Sequence, residues 1–345
     1  MKCLRGIDRS AIRKVLVVKT SSLGDIIHSF PALVVLNKIL PEAEIDFLIN
    51  PQFADLLDYS PVPIRKKIIY ERKKIGSLRY CLTSGVSLVR RLRKEKYDLV
   101  IDFQGLFRSS IFAFLAKAVY GACGFSEPRE KVSRLFYRHT ALCRSVHAVD
   151  RNVELLNGLF GTNYHVPAVD IPGNPDIEFP AGIPERYTLL LPGARWKSKC
   201  FPASLFSDIA SALVSAGRKV VLAGSPDEEA VCLKIMENTA CDSNIINTAG
   251  KTDISQLFEL IRHAESVVCN DSGPLHIASV MNKNIFCFFG PTRAEKTGPW
   301  NIRARVYTSD IECAGCLKRE CPLQNAPCHE LDRNRIINDI LSVEI

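Results

Sequence analysis

The sequence predicts an α/β protein of two Rossmann-like, doubly wound domains facing a cleft. Short apolar runs alternate with stretches of helical spacing in both halves of the chain, the pattern of parallel sheets covered by helices on both faces. A segment with prolines at 167, 172, 175, 180 and 184 separates the two series. The 345 residues, 47% of them hydrophobic, suffice for two cores.

Taken in order, Lys14-Val-Leu-Val-Val18 is an apolar run that ends in a polar, glycine-containing turn and reads as a buried parallel strand. Asp25 to Leu40 carries Ile26, Phe30, Leu33, Val34 and Leu36 at helical intervals, and Ile45 to Ile49 reads as the next strand. Ser77 to Lys96 places Leu78, Leu82, Val86, Val89 and Leu92 on one side and predicts an amphipathic helix with a cationic outer face. Tyr97 to Asp102 is a further strand, followed by a turn at Gly105 and an apolar helix through Ala118. After the proline-rich joint, strands are predicted at Thr188–Leu191, Lys219–Ala223, Ser266–Cys269 and Ile285–Phe289. Helices are predicted at Ala203–Ala216, Asp227–Glu237, Ile254–His263 and Pro274–Met281. The division is residues 1–170 for the first domain and 171–186 for the linker. Residues 187–328 form the second domain with a cysteine-rich tail, and 329–345 a C-terminal helix. In such sheets ligands bind outside the carboxyl ends of the strands, so the loops leaving those ends are the ones to read for function.

Composition narrows the class. No stretch of eighteen apolar residues free of charge occurs, and residues 1–14 lack the apolar region of a secretory signal, so a cytoplasmic protein is expected. The thirteen cysteines then read mainly as buried thiols. The net charge of +8 is local: residues 65–96 hold twelve Lys/Arg and two Glu, leaving the remainder of the chain at −2. A local anionic partner is implied. Nucleic acid is not expected, because that region offers only Tyr70 and Tyr80 for base stacking and no recognition motif.

Six motifs carry the chemistry. Lys19-Thr-Ser-Ser-Leu-Gly-Asp25 leaves the first strand and opens a helix, where free backbone N–H groups favour anions. Asp25 there is either a helix-start cap or a general base at the mouth of the cleft. Thr20, Ser21 and Ser22 already offer capping oxygens. Asp102-Phe-Gln-Gly-Leu-Phe-Arg108 leaves a second strand. Asp102, Gln104 and Arg108 suit hydroxyl and acid groups, with Ser22 and Gly24 beside them as acceptor contacts; the alternative is a turn capped by Asp102. Leu191-Pro-Gly193 through Lys199 brings three cations together, and Lys199 suits a phosphate. In Val220 to Glu228, Gly224 permits close approach to the backbone, Ser225 follows it, and Glu228 suits a ribose diol. Asn270-Asp-Ser-Gly-Pro-Leu-His276 is a helix entry in which Asp271, Ser272, Gly273 and His276 frame a diphosphate cradle or, alternatively, a capped helix that binds nothing. Last, Cys313, Cys316, Cys321 and Cys328, with His329 adjacent, read as reduced thiols or a structural metal site.

Taken in order, these motifs resemble glycosyltransferase family 9, the ADP-heptose:lipopolysaccharide heptosyltransferases. The resemblance rests on Lys19 to His28 with Phe30-Pro-Ala-Leu33, Asp102 to Leu106, Pro192 to Lys199, Ala223-Gly-Ser225, Asn270 to His276 and Phe289-Gly-Pro-Thr292. It covers the chain to about residue 330. It implies a GT-B fold, an ADP-heptose donor, a Kdo-lipid A acceptor and inverting transfer, at the anionic inner face of the inner membrane. No cofactor is implied. The resemblance assigns Asp25 as base, Lys199 as phosphate contact, and Gly193, Gly224, Ser225, Glu228, Thr252 and the Asp271–His276 turn to the nucleotide sugar. No Asp-x-Asp occurs, so no catalytic metal is expected. The opening, Lys19 to His28 with Phe30 to Leu33, resembles heptosyltransferase I, whereas the cysteine-rich tail and the Asp-Ser-Gly wording are more like heptosyltransferase II and other family members. Two further readings stand beside this one: a family 9 enzyme with another acceptor, and a nucleotide-sugar-binding protein without turnover.

Overall fold

The structure is a computed structural model and describes residues 4, 6–71, 85–174, 176–178, 180, 182–239, 243–323 and 326–343. The chain forms two units, Met1–Pro172 and Gly173–Ile345. Residues 72–84, which carry part of the predicted cationic helix, lie outside the described residues.

Unit 1 holds strands β1 (Lys14–Val18), β2 (Glu44–Ile49), β3 (Lys66–Ile69), β4 (Leu99–Asp102), β5 (Ala122–Phe125) and β6 (His139–Ala141) in the order β3-β2-β1-β4-β5-β6. Its helices are α1 (Leu23–Ile27), α2 (Phe30–Ile39), α3 (Val86–Glu95), α4 (Phe107–Leu115) and α5 (Ala148–Phe160). Unit 2 holds β7 (Thr188–Leu191), β8 (Val220–Leu222), β9 (Ile245–Asn247), β10 (Ser266–Asn270), β11 (Asn284–Phe289) and β12 (Ala304–Thr308), ordered β12-β11-β10-β7-β8-β9. Its helices are α6 (Ala203–Ser215), α7 (Glu229–Asn238), α8 (Ile254–His263), α9 (Gly273–Val280), α10 (Ala294–Thr297) and α11 (Arg333–Leu341). Among the described residues, all the strand pairings within these two sheets are parallel. Counted within each unit, both sheets follow the order 3-2-1-4-5-6. The strand order therefore reverses between β1 and β4 in unit 1 and between β7 and β10 in unit 2, the switch points at which such sheets bind ligands.

Central strands are buried along almost their whole length and mostly apolar because helices cover both faces. Leu16, Val18, Leu48 and Val100 pack with Leu88 and Leu92 of α3 and Phe112 of α4 on one side of the first sheet. The C-terminal helix α11 belongs to the core of unit 2, with Ile336 and Ile340 buried against the α6 side, and Arg218 ties it down through the Ile340 and Leu341 carbonyls.

Several boundaries differ from the sequence reading for physical reasons. The helix predicted over Asp25–Leu40 is two helices. Pro31 stands in the first turn of α2 and has no N–H to continue the ladder from α1. The strand expected from Tyr97 begins at Leu99, after Lys96 in the left-handed region. Asp227 and Glu228 belong to a 3₁₀ turn, Pro226–Glu228, before α7.

Candidate active site

In unit 1 the loops leaving β1 and β4 are built against each other. Gln104 Oε1 accepts hydrogen bonds from the backbone N–H of Thr20 (3.0 Å) and Ser21 (3.2 Å). Lys19 is buried at the end of β1 and donates to the Phe103 carbonyl at 2.8 Å. Asp25 sits in the first turn of α1, and its Oδ2 accepts from both Ser22 N (3.0 Å) and Ser22 Oγ (2.8 Å). Burial pushes the Asp25 carboxyl up, but Lys19, the two Ser22 bonds and Arg129 together outweigh it, and the net pKa falls below the ordinary 3.8. Lys19 in turn is lowered, first by burial, with Asp25 and Asp102 opposing. The sequence left Asp25 as either a cap or a base, with the neighbouring hydroxyls as other capping groups. Here Asp25 itself closes the capping box, and both bonds fall on one carboxylate oxygen. Gly24 is buried in the same turn.

Asp102 corrects an expectation. It is fully buried, and its carboxylate accepts from Gln104 N, Gly105 N, Ser109 Oγ and Tyr137 OH at 2.7–3.2 Å. Burial raises its pKa. A carboxylate with four internal donors and no exposed surface does not reach a substrate, so it shapes the turn that presents Gln104. Arg108 lies exposed in the first turn of α4.

In unit 2 the loops leaving β7 and β10 meet in the same way. Lys199 Nζ stands 2.6 Å from Asp271 Oδ2, which also accepts from Thr292 Oγ1 at 2.5 Å. Asp271 therefore faces Lys199 and the Gly290-Pro-Thr292 turn. Lys199 also lies 4.8 Å from the centre of the Trp196 ring. Ser272 is the N-cap residue of α9, and its buried hydroxyl has no hydrogen-bond partner among the described residues. Gly273 begins the helix, and His276 is buried in it. Over the β7 and β8 loops, the Glu228 carboxylate takes the N–H of Ser225 at 2.8 Å. It occupies the space that a side chain at Gly193 would fill, and a Cβ at Gly224 would stand 2.9 Å from Glu228 Oε2. Both glycines keep backbone open beside that carboxylate. Thr252 follows β9 and immediately precedes Asp253, the N-cap of α8, and is half-buried.

The cysteine-rich tail packs against the Lys199 loop, a feature the sequence reading missed. Ser198 donates its N–H to Arg319 O (3.3 Å) and its hydroxyl to Lys318 O (2.7 Å), while His329 Nε2 lies 2.8 Å from Ser198 O. The His329 ring stacks on Phe201 at 4.2 Å between centroids, and Arg319 lies over the other side chain of this loop, Trp196, at 5.4 Å. The four tail cysteines are free thiols. Burial, then Cys321, Cys313 and Cys316, raises the Cys328 pKa, which puts the four in one region. No group of three or more His, Cys, Asp or Glu among the described residues is arranged to hold a metal ion.

Two parallel six-stranded sheets, each of order 3-2-1-4-5-6, have the architecture of the GT-B class. The family profile of glycosyltransferase family 9 (heptosyltransferase) matches residues 86–326. The chain belongs to that family and is a glycosyltransferase. It is 28% identical over 331 residues to lipopolysaccharide heptosyltransferase 1 of Pseudomonas aeruginosa, covering 90% of this chain and 88% of that one. Lipopolysaccharide heptosyltransferase 3 of Escherichia coli K12 is 26% identical, with coverage of 93% and 92%. The structure of E. coli heptosyltransferase WaaC with ADP-2-deoxy-2-fluoro heptose superimposes with a TM-score of 0.70 at 25% identity, covering 86% of this chain and 93% of that one.

Proposed function

We propose that the chain transfers heptose, with inversion, from ADP-L-glycero-D-manno-heptose to the Kdo/inner-core acceptor of lipid A in lipopolysaccharide core biosynthesis, working in the cytoplasm at the inner face of the inner membrane. The observation that carries this reading is the build of the β10–α9 turn. Lys199 is held ready by Asp271, and beside it lie the open N-terminus of α9 and a buried Ser272 hydroxyl without a partner among the described residues. A lysine, free N–H groups and an unused hydroxyl suit a diphosphate.

In this mechanism Asp25 Oδ1 takes the proton from the acceptor hydroxyl as its oxygen forms the bond to the anomeric carbon. The carbon–oxygen bond to the diphosphate breaks on the opposite face. The electron pair leaves with ADP, whose growing charge Lys199 and the α9 N-terminus stabilise. A lowered pKa keeps Asp25 ionised at neutral pH and ready to accept. Ser22, Gly24, Gln104 and Arg108 orient the acceptor, and Gly193, Gly224, Ser225, Glu228 and Thr252 the nucleotide. Because fixed cations and a helix terminus carry the charge, chelation with EDTA should leave the rate unchanged. Loss of activity restored by Mg²⁺ or Mn²⁺ would overturn that part of the mechanism.

The deciding experiment is incubation with ADP-heptose and Kdo-lipid A, read by mass spectrometry for one heptose increment. A family 9 activity on another inner-core acceptor is the second reading, because relatives named heptosyltransferase 1 and 3 align almost equally well. Transfer only to an acceptor that already carries heptose would select it. No transfer to either acceptor would refute both.

A further inference from the structure

We propose that the outer face of α4, together with the turn Lys131–Phe136, is a membrane-docking surface that inserts into an anionic bilayer. The inference deepens the reading above, since it concerns how unit 1 meets a lipid acceptor.

Phe107 and Phe114 of α4 are 41% and 56% exposed, and Val132 and Leu135 of the turn are 48% and 80% exposed. They form one patch. The Phe136 ring lies edge-on to Phe107 at 5.7 Å and to Phe114 at 5.9 Å, joining the helix to the turn. Contiguous exposed apolar surface of this kind marks an interaction site, whereas scattered exposed residues do not. Its surroundings name the partner. Between Gly105 and Arg138 the chain carries six Lys/Arg and two Glu, and all six cations are exposed. One of the two acids, Glu130, is already occupied by the N–H of Phe107 at 2.7 Å. Exposed aromatic and aliphatic side chains on segments that also carry exposed cations, Arg108 on α4 and Lys131 and Arg134 in the turn, suit a bilayer interface with anionic headgroups, where the apolar groups enter the acyl boundary and the cations stay among the phosphates. Neither the apolar patch nor the positive charge alone would commit to that partner.

The surface is also tied to the acceptor loop. Gly105 O accepts from Glu130 N at 3.1 Å and from Ser133 Oγ at 3.4 Å, and Ser109 of α4 donates to Asp102 at 2.7 Å. The same turn holds Gln104, which grips the backbone of the Asp25 loop. A bilayer docked on α4 therefore shares a rigid frame with the proposed base.

The test uses the full chain, sucrose-loaded vesicles of phosphatidylglycerol and phosphatidylethanolamine, and vesicles of phosphatidylcholine alone. Wild type should sediment with the anionic vesicles. F114S/L135S and K131E/R134E should each weaken that binding about tenfold or more. These exposed changes should keep the wild-type Tm and transfer heptose to a delipidated, water-soluble Kdo acceptor at the wild-type rate. In L135W, emission of the introduced indole should shift to the blue on anionic vesicles and be quenched by brominated lipid. Undiminished vesicle binding by both double variants, or an indole that neither shifts nor is quenched, would overturn the proposal. A wild-type dimer dispersed by F114S/L135S, without vesicle binding, would overturn it in favour of a second copy of the chain. Patch-dependent vesicle binding by a protein that transfers no heptose to any acceptor would support the docking surface and count only against the proposed activity.

Discussion

Asp25 serves two purposes, and they separate by oxygen atom. Oδ2 closes the first turn of α1 through Ser22, so replacement by Asn keeps one acceptor for that turn. D25N should therefore fold and bind ADP as wild type does by calorimetry, while kcat falls on the order of 10²–10⁴-fold. Near-normal turnover would remove Asp25 from the mechanism. Because its folded pKa lies below the unfolded value, the carboxylate contributes stability at and above pH 3.8 and loses it as pH falls through the folded value. The acid limb of kcat/KM that belongs to Asp25 should likewise lie below 3.8. A single limb at about 6.5, the histidine range, would assign the base elsewhere. Lys199 is a different case, because its partner is a buried carboxylate. K199A both deletes a cation and leaves Asp271 without its lysine, so the donor KM should rise by roughly 1.5–3 kcal/mol in free-energy terms, the range for hydrogen bonds to charged groups. Unchanged donor KM and kcat would place Lys199 outside the site.

At the scale of elements, the tail and the Lys199 loop behave as one piece. The backbone of Ser198 is bonded on both sides, by N–H to Arg319 and by C=O to His329, and His329 also stacks on Phe201. These contacts predict a positioning role for His329 toward the lysine next to Ser198. H329A should raise the donor KM several-fold, matching a hydrogen bond worth about 0.5–1.5 kcal/mol, with little change in kcat. H329F should restore the stack and the stability but not the donor KM; recovery of both by H329F would reduce the role to packing. Burial holds the His329 pKa below 6.5, with the Ser198 carbonyl only partly opposing. The unfolded chain then binds the proton more readily, so this residue's contribution to stability is intact above pH 6.5 and lost as pH falls through the folded value. Thermal unfolding followed from pH 8 to 5 should show that loss in wild type and not in H329F.

Across the whole molecule, the positive charge is less free than its sum implies. Arg65 pairs with Asp46, Glu44 and Glu95, Lys66 with Glu95, and Lys67 with Asp58. The Lys66 and Arg65 bonds, stronger together than the opposing burial, bring the Glu95 carboxyl down to about 2. Arg91 and Arg93 donate to the Ile69 and Leu115 carbonyls. On α3 that leaves Arg90 and Lys94, both exposed, as the better probes of long-range attraction. Arg90→Glu with Lys94→Glu should raise the acceptor KM, reduce vesicle binding and make what binding remains less sensitive to salt, each charge contributing on the order of 1 kcal/mol near an anionic surface. The dissociation constant for ADP should stay within about twofold, since a Debye length of about 8 Å confines the effect. A double variant impaired only in ADP binding would refute the assignment of this charge to the acceptor.

The sequence by itself determined the class. Buried strands such as β1, β4, β7 and β10 each hold a short apolar run, and the turns that end them carry their own signature, so the four loops at the switch points were legible in order. Short or edge strands were not. β6 has three residues, and β12, Ala-Arg-Val-Tyr-Thr, has little apolar pattern, because such strands are held by a neighbour and not by their own composition. Within the loops, residue type alone could not rank Asp102 against Gln104 or separate Asp271 from a ligand contact. Tertiary structure decided their partners. Four donors drawn from residues 104 to 137 close around Asp102, and a lysine 72 positions upstream claims Asp271. The tail's grip on Ser198 spans more than a hundred residues and has no local pattern at all. Local periodicity records which face of a segment is buried. Which polar groups meet there is fixed only when the sheet brings distant loops to the same edge, because a buried carboxylate or lysine must take its partner from whatever the fold places beside it.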